Sequence, residues 1–129
     1  MMDEDVTAFA WMVTSGEIPQ PVKTALQQAI NMKNAITDAQ RRLGELDAQL
    51  ASIKSDQDRI RLNIDSAGRD TPIGRDWLET LSLQETQIRD LQGKPGVLTD
   101  TGKIGLAREN ILKRRAELDE YLQNLSVPQ

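Results

Sequence analysis

Aliphatic residues recur every seven positions along the first half of this chain. With heptad position a set at Val22, the series continues through Ala29, Ile36, Leu43, Leu50, Gln57 and Ile64. Position d is then Ala25, Met32, Ala39, Leu46, Ile53 and Ile60. Only Gln57 interrupts the apolar row. A repeat of seven held over six heptads predicts a left-handed seam between helices rather than a simple amphipathic stripe. The predicted helix covers residues 21 to 66, and its stretch from 22 to 64 would be about 64 Å long at the usual helical rise. Pro21 suits its first turn, where a missing N–H is harmless. A polar residue at one a position more often fixes register than carries a function, and Gln57 is read that way.

The seam then stops and restarts. Gly68 can take the left-handed conformation that closes a helix, Thr71 can cap the next one, and Pro72 can open it. A second helix is predicted over 72–92, with Trp77, Leu81, Gln84, Ile88 and Leu91 at seam spacing. Residues 93–103 hold Gly93, Pro95, Gly96 and Gly102 and keep no period, which predicts a loop. A third helix is predicted over 104–125, with Ile104, Ile111, Leu118 and Leu125 seven apart and Leu122 beside them. A short helix over 5–14 fits Val6, Phe9, Ala10 and Val13, although its Val, Thr and Trp would also suit a strand.

These elements predict an all-α fold in one domain, 1–129: a long antiparallel helical hairpin of coiled-coil type. Its returning arm breaks near 93–103, and the short N-terminal helix packs at the base. Phe9, Trp11 or Met12 should then touch Leu118, Tyr121 or Leu122. The expected seam comprises Val22, Ala29, Met32, Ile36, Leu43, Leu46, Leu50, Ile53, Ile60, Ile64, Trp77, Leu81, Ile88, Ile111, Leu118 and Leu122. On the outer face, Asp38 and Arg42, Asp56 and Arg59, Asp58 and Arg61, and Glu85 and Arg89 stand at ion-pair spacing.

Composition sharpens this reading. Aromatic residues are 3% of the chain, so the core must be aliphatic and narrow. There is no Cys and no His, which removes thiolate metal sites, disulfides and the commonest general base. The net charge of −4 argues against a generic pull toward nucleic acid or anionic lipid. No apolar run nears the roughly 20 residues that span a bilayer. The acidic start, Met1 to Asp5, is unlike a secretory signal, so a complete chain would be expected in the cytoplasm.

Candidate chemistry is thin. GVLTDTGKI (96–104) has five residues between its glycines where a phosphate loop has four. Ile104 also stands where that loop needs Ser or Thr. Asp56, Asp58 and Asp65 lack the Gly and closing Glu of a calcium loop. The basic residues Arg41, Arg42, Arg108, Lys113, Arg114 and Arg115 alternate with Glu109, Glu117, Asp119 and Glu120. That mixture reads as a solvated face rather than a nucleic-acid surface. No enzyme, cofactor or metal is expected.

Leu26, Ile30, Leu62, Leu78, Leu83, Leu106 and Leu112 lie off the strict seam and widen the apolar stripe. They predict a protein partner, either a second copy in a four-helix assembly or another domain. Covering the flanks of a monomeric hairpin is the alternative. The expected function is a structural or interaction module, with a client-binding adaptor acting through the hairpin tip or the 93–103 loop as the second choice.

Four stretches in order are IPQPVKTALQQAI (18–30), LASIKSDQDRIRLNI (50–64), WLETLSLQETQIRDLQ (77–92) and RRAELDEYLQNLSV (114–127). Together they resemble the C-terminal helical region of large uncharacterised bacterial proteins that carry a domain of unknown function. The resemblance implies a coiled-coil tail behind a β-rich part, in an exported or envelope-associated parent. It carries no catalytic residues. The Gly- and Pro-containing insert at 93–103 departs from the continuous helix of that pattern.

Overall fold

The computed structural model describes residues 18–94, 96 and 101–125. Within them the fold is all-α, with three helices and no strand: α1 (Gln20–Ala67), α2 (Pro72–Gln92) and α3 (Lys103–Leu125). The long helix packs against each of the other two in a bundle. The expected helix over 5–14, and its contacts through Phe9, Trp11 and Met12, lie outside the described residues.

Two compact units make up the structure: Arg42–Arg108, and the residues up to Arg41 together with those from Glu109 onward. In the Arg42–Arg108 unit, Leu46 of α1, Leu91 of α2 and Ile104 of α3 form the buried centre. Leu43, Leu50, Ile53 and Ala107 pack around it. All three helices therefore supply this core. In the other unit, Ala29 and Ile36 of α1 bury against Leu118 of α3, with Met32, Tyr121 and Leu122 at the margin. The Tyr121 hydroxyl donates to the Ala25 carbonyl at 3.1 Å, so the half-buried ring has its polar end satisfied.

The connection between α1 and α2 is built by three residues. The Gly68 N–H donates to the Ile64 carbonyl at 2.8 Å, and Gly68 takes φ +91°, closing α1. The Thr71 hydroxyl donates to the Gly68 carbonyl at 2.7 Å and accepts from the Gly74 N–H at 3.0 Å. One side chain thus ties the end of α1 to the start of α2. Gly74 is buried there, and a Cβ at this position would overlap the Gly68 carbonyl oxygen. Any larger residue would force the turn apart.

The chain leaves α2 through Gly93, whose N–H donates to the Arg89 carbonyl at 2.8 Å. It enters α3 at Gly102, whose carbonyl accepts from the Leu106 N–H at 3.1 Å. The Gly102 backbone lies against the Leu91 carbonyl and the Gly93 nitrogen. Lys103 completes this junction with an ion pair to Asp90 at 2.9 Å. Both partners are more than half exposed, so the pair contributes at most about 1 kcal/mol.

Truncating the buried seam should be costly. Leu118→Ala and Ile60→Ala are expected to lower unfolding free energy by about 2–5 kcal/mol each. Leu112→Ala, at an exposed position, should change it by less than about 0.5 kcal/mol. Urea unfolding followed by far-ultraviolet circular dichroism measures all three, and equal effects at buried and exposed sites would contradict the assigned seam.

Candidate functional site

The heptad positions of α1 are buried or half-buried from Ala25 to Ile64: Ala29, Ile36, Ala39, Leu46, Gln57, Ile60 and Ile64 fully, and Ala25, Met32, Leu43, Leu50 and Ile53 partly. Val22 departs from the expectation at 45% exposure. It lies in the first turn of α1, where its N–H donates to the Pro19 carbonyl, ahead of the Ala25 carbonyl that Tyr121 reaches. Leu125, at the far end of α3, is likewise 44% exposed. On α2, Ile88 and Leu91 are buried while Trp77 and Leu81 are half-buried. On α3, Ile104, Ile111 and Leu118 are buried and Leu122 is half-buried.

The least expected feature of the Arg42–Arg108 unit is polar. Gln57 and Gln84 are the buried polar side chains among the described residues, at 3% and 8% exposure. Each donates to the acidic neighbour of the other. Gln57 Nε2 donates to Glu85 Oε1 at 3.0 Å, and Gln84 Nε2 donates to Asp56 Oδ2 at 2.7 Å. The two bonds cross between α1 and α2 and form one polar layer inside an otherwise apolar seam. Gln84 Oε1 is buried and has no hydrogen-bond partner among the described residues.

Arginines anchor the carboxylates from outside. Asp56 Oδ1 accepts from Arg59 Nη2 at 2.7 Å and from Nε at 3.1 Å. Glu85 lies 3.8 Å from Arg61, which also pairs with Asp58 at 3.4 Å. The hydrogen bond from Arg59 holds the Asp56 carboxyl below its ordinary value, and the Gln84 amide adds to it against a partial burial penalty. The spacing from Asp56 to Arg59 and from Asp58 to Arg61 anticipated two of these pairs. Asp38 pairs with Arg41 at 3.6 Å, one residue short of the expected Arg42. Glu85 reaches across to α1 rather than along its own helix to Arg89.

Grooves flank the seam on both sides of the layer. One of about 530 Å³ is lined by Ile53 and by the polar residues Ser52, Ser55, Asp56, Arg59, Gln84 and Gln87. Another of about 450 Å³ runs past Lys54, Gln57, Asp58, Arg61, Glu85 and Arg89. In the other unit, a groove of about 290 Å³ lies beside Met32 and Arg114. Asp56, Asp58 and Asp65 do not converge, and no group of three or more metal-ligating side chains occurs among the described residues. No described helix is long and apolar enough to cross a membrane. Of the 96–104 segment, residues 97–100 lie outside the described residues.

No family model matches the chain, and no curated protein or solved structure is detectably similar to it.

The lowered Asp56 pKa has a signed consequence. A carboxylate held below its unfolded value adds stability at neutral pH, and that contribution is lost as pH falls through the folded value. Asp56→Asn should therefore flatten the acid side of the stability profile below about pH 4. Midpoints of urea unfolding between pH 2 and 7 read this out, and an unchanged acid limb would contradict the assignment.

Proposed function

We propose that this chain is a non-catalytic, coiled-coil-type module, an antiparallel helical hairpin, that works by self-association or by contacts with another protein. The observation that supports it is where the leucines fall. Leu62 and Leu83 are each 68% exposed, Leu112 is 66% exposed and Leu106 is 56% exposed, on helices whose own seams are already covered. Single exposed leucines are ordinary on soluble proteins, but four spread over three helices favour a further protein surface. The absence of His and Cys from the sequence adds support, because the chain lacks the usual nucleophile and base pairings. A coiled-coil tail of a larger bacterial protein, as the sequence resemblance implies, would suit the same role.

A second reading is an adaptor that grips a client at the α1–α2 tip. Ile73 there is 51% exposed and Trp77 is half-buried, which favours an apolar contact at that end.

Light scattering across a dilution series separates the two. A self-associating module is expected to remain dimeric at micromolar concentration, and Leu62→Ser, Leu83→Ser, Leu106→Ser and Leu112→Ser combined should weaken the dimer at least tenfold without changing helicity. A monomer throughout, with the combined variant indistinguishable from the parent, would defeat self-association and favour the adaptor.

A further inference from the structure

The crossed hydrogen bonds of the polar layer connect residue 56 to 84 and residue 57 to 85. They set Gln57 and Gln84 at one level, with Asp56 and Glu85 beside them. Counting outward from that level along the two returning helices pairs Ile53 with Ile88, Leu50 with Leu91, and Ile60 with Leu81. By the same count Ile64 falls level with Trp77, so every apolar seam residue stands level with another apolar one, and amide stands level with amide.

The layer is a poor source of stability. Two aliphatic side chains buried in place of the glutamines would each remove apolar surface from water and leave no polar atom to satisfy. The buried Gln84 Oε1, with no hydrogen-bond partner among the described residues, carries a desolvation penalty that no bond offsets. The side chains of the accepting carboxylates are 41% exposed for Asp56 and 51% exposed for Glu85, so water weakens what the amides gain from them.

What the layer does supply is discrimination. Sliding one helix by a turn, about 5.4 Å, would set each glutamine against an aliphatic residue and strand its amide away from a carboxylate. Pairing the 50–64 stretch with an all-aliphatic seam, such as the first half of α1 from a second copy, would strand it equally.

We propose that Asp56, Gln57, Gln84 and Glu85 form a pairing lock. It commits residues 50–64 of α1 to residues 77–91 of α2 in one register, and it sacrifices stability for that selectivity. The lock concerns which helix faces meet and rests on no particular oligomeric state.

The test uses the full chain with Gln57→Leu and Gln84→Leu combined. The sequence contains no Cys, so Ser55→Cys with Gln87→Cys gives two unique labelling sites beside the layer, outside its hydrogen bonds. Electron paramagnetic resonance should give a single label-to-label distance in the glutamine background. In the leucine background it should give a second population displaced by about 5 Å or more, together with a higher melting temperature and a broadened mass distribution. A leucine variant that melts higher but keeps one distance and one mass would overturn the proposal. So would a variant that melts lower or fails to fold, because the layer would then be a stabilising network.

Discussion

An unbroken aliphatic row on a long helix must be covered, and the rest of this structure answers that demand. Ordering each residue costs roughly 1–2 kcal/mol of conformational entropy, and a lone helix cannot repay it from its own hydrogen bonds. The row on α1 is therefore folded against α2 and α3 in the Arg42–Arg108 unit, and against α3 in the other. The chain's few aromatic residues leave Leu, Ile and Ala to do this packing. Tyr121 contributes at the margin of one cluster, anchored through its hydroxyl.

Covering the row requires one reversal of direction and one break in the returning arm, and each uses close backbone contact. Between α1 and α2, Gly68, Thr71 and Gly74 interlock so tightly that no Cβ fits at Gly74. Between α2 and α3, Gly102 rests on the last residues of α2. These positions restrict where α2 and α3 can begin, and so which seam residues they present to α1. The polar layer at Gln57 and Gln84 then adds selectivity within the stretch they bring together.

Much of this was legible in the sequence, because helical periodicity is a local signal that burial reinforces. The expected span of 72–92 coincides with α2, and α1 and α3 each begin one residue earlier than expected. Gly68, Thr71 and Pro72 were legible as a stop and a start because capping depends on residues a few positions apart. Gly74 was not, since its constraint comes from the Gly68 carbonyl that only the completed turn brings near. Asp56 read as part of a solvated face because its bond to Gln84 joins different helices. Reading α2 backward against α1 across the turn would have exposed the layer, since Gln84 then falls opposite Gln57. Val22 was misplaced because a heptad count says nothing about where the covering helix ends.

The proposed protein contacts rest on the same packing: with the seams covered internally, Leu62, Leu83, Leu106 and Leu112 are left exposed. The central claim is that α1 is one continuous helix held along its length by buried aliphatic residues. Native-state hydrogen exchange resolved by residue tests it most directly. Amides of α1 from about Ala29 to Ile64 should exchange slowly, with opening free energies approaching that of global unfolding. Rapid exchange in the middle of that span, or protection limited to a few isolated turns, would contradict the account.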